Sequence, residues 1–174
     1  MKTPCLMLAV PLLILSCNSN PTDNVKTTMH DSAAFAYPVK NIDHWVTDTS
    51  QTNLIVALKV LKSFEKNDTA EMRNYFTDTL MAGFDGGTFT GPRRQYLSSI
   101  KAIRDSFKKV LIKVYDCQAV TSRDKKEAWV TTWILQVTTN WKGKTDSLEY
   151  IHDMQFNHGK IVKIDEYTRH LRKL

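Results

Sequence analysis

The chain has 174 residues, a length that fits one ordinary domain and leaves little room for a second. Its composition is 42% hydrophobic, 24% charged and 10% aromatic, which is close to the globular average and argues against a disordered or fibrous chain. The net charge is +6. Three cysteines are too few for the disulfide framework of a small secreted domain.

The N-terminal segment has the features of a secretory signal. Lys2 supplies the positive charge, and the apolar run from Cys5 to Leu15 is shorter than the ~20 residues that a membrane-spanning helix needs. The small residue Ser16 followed by Cys17 resembles a bacterial lipoprotein box. That resemblance implies cleavage after Ser16, lipidation of Cys17 and attachment to a membrane of the bacterial cell envelope. The alternative is a plain signal peptide with an incidental cysteine.

The sequence pattern predicts three segments: a signal peptide over 1–16, a lipidated tether over 17–50 and a folded domain over 51–174. The tether is rich in Asn, Thr, Ser, Asp and Ala, and aromatic residues in its second half predict packing against the domain. The domain contains 21 Lys and Arg residues against 14 Asp and Glu residues, a balance that allows attraction to an anionic membrane surface. Cys117 is left without a disulfide partner in the mature chain.

The first half of the domain predicts helices and a short hairpin. Apolar residues at helical spacing predict a helix over 51–66. Asp68, with Glu71 three residues later, forms a capping-box pattern that begins a short second helix. A hairpin over 79–90 then turns at a pair of glycines, and Pro92 is expected at the first position of a third helix.

The second half of the domain has an apolar period of two, which is typical of strands. Strands are predicted over 110–120, 127–141, 144–156 and 161–169, with tight turns between the last three. Helices first and a meander of antiparallel strands last predict an α+β fold whose sheet wraps over the helices.

Three segments, in this order and spacing, carry a resemblance to a known superfamily: Glu65-Lys66-Asn67-Asp68, Phe89-Thr90-Gly91-Pro92 and the ending Met154 to Val162. The chain resembles the nuclear transport factor 2-like superfamily, which includes SnoaL-like polyketide cyclases, scytalone dehydratase and ketosteroid isomerase. The resemblance covers 51–171 and implies a cone with a pocket between the curved sheet and the helices. It also implies a homodimer through the outer face of the sheet. It does not specify an activity, because this fold carries many functions.

The resemblance also implies where a catalytic pair would lie. Isomerase-type members place a general-base aspartate after the first strand, where this chain has Asp85, and an oxyanion-stabilising aspartate on a late strand, where it has His152. They place a tyrosine on the first helix, where this chain has Val60. A carboxylate and an imidazole in an apolar pocket suit proton abstraction, so Asp85 is the expected charged neighbour of His152. Alternatively, Asp85 is a turn residue and His152 a buried, hydrogen-bonded histidine.

The predicted pocket has candidate lining residues on two neighbouring strands. Alternation along 144–156 predicts that Tyr150, His152 and Met154 face the interior. Trp133 is expected to join Tyr150 and Met154 around a small apolar ligand. The alternative for such an aromatic stripe is a core or a dimer surface.

Several function classes have no support in the sequence. The five histidines show no metal-ligand spacing, and no phosphate-binding loop, nucleophile elbow or dinucleotide fingerprint is found, so neither metal nor cofactor is expected. Basic pairs are spread over separate elements, which does not indicate a nucleic-acid partner. Two functions remain. One is a non-catalytic domain that binds a small ligand or a protein at the envelope, and the other is a small lyase or isomerase with Asp85 and His152 as acid–base pair.

Overall fold

A computed structural model describes residues 36–39 and 42–170, apart from the side chain of His170. The predicted signal peptide, Cys17 and most of the predicted tether lie outside the described residues. The residues from 42 onward belong to one compact unit. No helix within the described ranges is both long and apolar enough to cross a membrane.

Short helices and long strands follow one another along the described chain. The elements are β1 (Trp45–Thr47), α1 (Thr52–Lys66), α2 (Thr69–Met72, continued by a 3-10 turn over Arg73–Tyr75), β2 (Phe76–Phe84), β3 (Gly87–Pro92), α3 (Arg93–Asp105), β4 (Phe107–Ser122), β5 (Ala128–Asn140), β6 (Thr145–Asn157) and β7 (Lys160–His170).

The strands form one sheet in the order β1-β4-β5-β6-β7-β2-β3. Neighbouring strands are antiparallel except for β2 and β7, which run parallel. Bulges in β4 and between β6 and β7 add local bend to the sheet. The predicted α+β fold, a curved sheet with three helices packed on it, is confirmed. Strand β1, which pairs with β4 at the sheet edge, was not predicted.

Local sequence signals define the ends of the helices. Helix α1 ends at Asn67, which adopts a left-handed conformation with φ of 61°. The Asp68 side chain accepts a hydrogen bond from the Glu71 backbone N–H at 2.9 Å, so the predicted cap of the second helix is confirmed. Pro92 is the last residue of β3 and precedes α3, whereas the sequence placed it inside the helix. The backbone of Pro92 is extended, with ψ of 138°, and Pro92 pairs with Thr79 of β2. Helix α3 therefore begins one residue later, at Arg93.

One buried arginine fixes the helices to the start of the sheet. Arg104 donates hydrogen bonds to the carbonyl oxygens of Phe64, Glu65 and Phe107, each at 3.0 Å. The first two carbonyls belong to the last turn of α1, where the usual i+4 donors are lacking, and Phe64 also accepts from the Asn67 N–H at 3.0 Å. The guanidinium therefore caps α1 and connects it to α3 and β4.

The core lies between the helices and the inner face of the sheet. Directly paired residues of antiparallel strands lie on the same face, and the register pairs Val130 with Met154 across β5 and β6. Both are fully buried. Ile151, one position out of phase on β6, is 37% exposed. The alternation predicted for this strand, with its even-numbered residues inward, is confirmed.

Candidate functional site

A cavity of about 140 Å³ lies between helices α1 and α3 and the inner face of the sheet. Ten of its fifteen lining residues are apolar, and the other five are Tyr96, Gln136, Tyr150, His152 and Glu166. A dry apolar cavity of roughly 150 Å³ takes up benzene, whereas pockets for drug-sized molecules measure about 300–1,000 Å³. The cavity is therefore the size of a single ring or a short chain.

His152 has a polar partner at each ring nitrogen. Its Nε2 atom lies 3.2 Å from Glu166 Oε2, and its Nδ1 atom lies 3.4 Å from the hydroxyl of the fully buried Thr132. The three residues occupy directly paired positions on β5, β6 and β7. In the neutral imidazole, an Nε2–H that donates to Glu166 leaves Nδ1 to accept from the Thr132 hydroxyl. The sheet register thus fixes the plane of the ring.

Two tyrosines lie near the Glu166 carboxylate. The Tyr150 ring is parallel to the His152 ring, with centroids 5.7 Å apart. Burial and then the negative charge of Glu166 raise the pKa of Tyr150 to about 12, with smaller contributions from Asp146 and Asp85. The same two causes raise the pKa of Tyr96. Both phenols therefore stay protonated at neutral pH and can donate hydrogen bonds.

Tyr96 contributes a phenol to the lining of the cavity. Tyr96 is 5% exposed and lines the cavity from α3. Among the described residues its Oη has no hydrogen-bond partner, and no fully enclosed side-chain N or O atom of these residues lacks one. Helix α1 has Val60 at the position where the resemblance to isomerase-type members implies a tyrosine, and Tyr96 brings a phenol to the cavity from another helix.

Asp85 is not the charged neighbour that the sequence predicted for His152. It is exposed in the turn between β2 and β3, accepts a hydrogen bond from the Thr168 hydroxyl and is not among the residues that line the cavity. The carboxylate beside the imidazole belongs to Glu166. The prediction of an Asp85–His152 pair was wrong because β7, not the β2–β3 turn, lies against this part of β6.

Trp133 does not line the cavity with Tyr150 and Met154, as was predicted. It pairs with Ile151 across β5 and β6, which places it on the outer face of the sheet beside Tyr167. Because side chains alternate along a strand, an offset of one residue moves a tryptophan to the opposite face. Tyr150 and Met154 do line the cavity. Their role in holding a ligand stays a prediction.

Glu166 was missed because a bulge changes the register of the last hairpin. Next to the tight turn, where His158 and Gly159 both have positive φ, Asn157 pairs with Lys160. Counting outward from that turn would pair His152 with Asp165. The bulge at Gln155 and Phe156 shifts the pairing by one residue, so Glu166 faces His152 instead. No sequence signal for the bulge was identified.

The described residues contain no group of three or more His, Cys, Asp or Glu side chains arranged to hold a metal ion. The polar groups of the cavity are one carboxylate, one imidazole, two phenols and one amide. They can position a ligand by hydrogen bonds, and the imidazole and carboxylate can exchange a proton.

Solved structures with the same architecture are similar in fold but distant in sequence. An LEH-like epoxide hydrolase from Mycobacterium tuberculosis has a TM-score of 0.55 at 12% identity, over 68% of this chain and 84% of the other. An NTF2-like protein from Anabaena variabilis has a TM-score of 0.54 at 17% identity, over 71% and 94%. A candidate SnoaL-like polyketide cyclase from Jannaschia has a TM-score of 0.53 at 10% identity, over 68% and 85%.

These similarities show the nuclear transport factor 2-like fold that the sequence predicted. No protein-family model matches the chain, and no curated protein matches it significantly. Identities in this range establish the fold alone, and any activity depends on the groups that line the cavity.

Proposed function

We propose that the domain is a non-catalytic module that binds a small, mostly apolar molecule in the cavity. The observation that carries this proposal is an apolar enclosure of about 140 Å³ with a few polar groups beside it. Such a composition is typical of ligand sites, where apolar walls supply the affinity and a few hydrogen-bonding groups fix the orientation. The Glu166–His152 pair and the Tyr96 hydroxyl would hold the polar group of the ligand.

Benzyl alcohol is a suitable first probe because it combines one ring with one hydroxyl. We expect saturable NMR shifts at amides around the cavity of the unlipidated full chain, obtained with Cys17→Ser. Ile100→Phe should fill the cavity and abolish those shifts. Ile55→Phe is the matched control, because Ile55 is 49% exposed on α1 and does not line the cavity. Shifts that do not saturate, or that persist in Ile100→Phe, would contradict binding in the cavity.

A second candidate function is acid–base catalysis by Glu166 and His152, in place of the Asp85–His152 pair expected from the sequence. The contact of 3.2 Å between imidazole and carboxylate favours it, since the pair could take a proton from water. Similarity in fold to an epoxide hydrolase suggests a test reaction, the addition of water to styrene oxide. Diol formation that is lost in His152→Asn and kept in His158→Asn would replace the binding proposal. If the unchanged chain forms no diol above the uncatalysed rate, that result would support the binding proposal.

We also propose that Cys17 anchors the protein to a membrane of the bacterial cell envelope. The support is the apolar run that ends in Leu15-Ser16-Cys17 and is followed by a polar segment. Several acyl chains, at ~0.8 kcal/mol per buried CH₂, hold a protein far more firmly than one chain does. Cys17→Ser should abolish labelling with a clickable fatty acid and release the protein from membranes, whereas Cys5→Ser should leave both unchanged. Membrane association that survives Cys17→Ser would refute the anchor.

A further inference from the structure

We infer that the cavity selects a ligand that carries a protonated amine over an uncharged or anionic ligand of the same shape. The inference rests on the proposed binding function and specifies the ligand's chemical class. A one-ring primary amine matches the volume of about 140 Å³.

The first argument is the distribution of charge. The domain is basic, yet none of the fifteen residues that line the cavity is Lys or Arg. Glu166 is the one carboxylate in that lining, and its side chain is 30% exposed. The charges that raise the pKa of Tyr150 come from Glu166, Asp146 and Asp85, all of them carboxylates. His152 is the one imidazole in the lining and contacts Glu166. The fixed charges around the cavity therefore favour a cation.

The second argument is the set of hydrogen-bond acceptors. An ammonium group has three N–H donors and no acceptor. Among the described residues, Glu166 uses Oε2 for its contact with His152, and no hydrogen bond to Oε1 is found. The hydroxyl oxygens of Tyr96 and Tyr150 and the amide oxygen of Gln136 also belong to lining residues. A buried ammonium can thus be paired with a carboxylate and hydrogen-bonded, which is what makes burial of a charge tolerable.

The third argument is the aromatic lining. Phe64, Phe84, Tyr96 and Tyr150 contribute rings to a cavity that otherwise contains mainly aliphatic side chains. The faces of aromatic rings attract cations, and this attraction strengthens where water is excluded. The same rings pack against the apolar body of the ligand. An anion would meet the Glu166 carboxylate and the ring faces, both of which repel it.

The test compares three probes with one ring and different charge: benzylamine, benzyl alcohol and benzoate. Their dissociation constants for the unlipidated full chain are measured at neutral pH from NMR shifts of amides around the cavity. We expect benzylamine to bind about tenfold more tightly than benzyl alcohol, the difference between a charge-assisted and a neutral hydrogen bond. Benzoate should cause no saturable shifts.

Variants locate the preference at Glu166. Glu166→Gln should bring benzylamine to the affinity of benzyl alcohol, whereas Glu149→Gln removes a carboxylate that contacts Arg169 and should keep the preference. If Glu166→Gln does not fold, the three-probe comparison in the unchanged chain decides alone. Equal binding of benzylamine and benzyl alcohol would overturn the amine inference and leave the proposed function intact. Failure of all three probes would instead count against the proposed function.

Discussion

The two faces of the sheet both carry aromatic residues, and they differ in how deeply their polar groups are buried. The inner face presents Met154 and Tyr150 around the buried His152, whose nitrogens contact a hydroxyl and a carboxylate. The outer face presents Trp133 and Tyr167, and Tyr167 is 54% exposed. Aromatic bulk therefore does not reveal which face is the core. A polar cluster that is buried among apolar residues identifies the face that carries the candidate site.

The largest expected effect is the loss of stability when a buried side chain on the inner face is truncated, compared with an exposed one on the outer face. Met154→Ala should lower the free energy of unfolding by about 2–5 kcal/mol, because Met154 is fully buried and its removal leaves a cavity. Ile151→Ala on the outer face of the same strand should cost only about 1 kcal/mol, since Ile151 already contacts water. Urea denaturation measures both. Equal losses would show that the outer face is as well packed as the inner one.

The next effect concerns what covers the outer face. The sequence predicts a homodimer through this face, and Tyr167 and Trp133 line a groove there. If a second copy covers the groove, Tyr167→Glu should weaken the dimer by about tenfold or more, because a charge would be buried without a partner. Ile55→Glu, on the exposed side of α1, is the control. Sedimentation velocity that shows a monomer for the unchanged chain at all concentrations would exclude the dimer.

The contrast between the faces also shows how far the sequence could predict the structure. Helical spacing and the Asp68 cap predicted the helices. The period of two predicted the long strands and which residues of β6 face inward. These signals depend on neighbours within one element. The partner of His152 depends on the register between two strands, and the bulge at Gln155 and Phe156 moves Glu166 into that place. Tyr96 reaches the cavity because α3 packs across the sheet, a tertiary placement that its local pattern does not encode.

The charge of the inner carboxylate should be measurable through its neighbours. Glu166→Gln should lower the pKa of Tyr150 from about 12 towards its ordinary value, because the negative charge that disfavours the phenolate is gone. Burial remains, so the return should be partial. Glu149→Gln, which changes a carboxylate on the outer face, should leave the pKa of Tyr150 unchanged. NMR titration of the labelled tyrosine ring measures the pKa of Tyr150 in the unchanged chain and in both variants. An unchanged pKa in Glu166→Gln would mean that burial alone causes the shift.

The smallest expected effect is on stability at alkaline pH. Folding raises the pKa of Tyr150 from 10.0 to about 12, so the unfolded chain loses this proton first as the pH rises. The neutral phenol therefore contributes stability that is fully present below about pH 10 and is lost as the pH approaches 12. Tyr150→Phe removes this titration, and its free energy of unfolding should fall less steeply between pH 10 and 12 than that of the unchanged chain. Some slope should remain, because burial also raises the pKa of Tyr96. Urea denaturation at intervals across this range compares the two slopes. Identical slopes would mean that Tyr150 ionises as readily in the folded chain as in the unfolded one, and would contradict a phenol held beside Glu166.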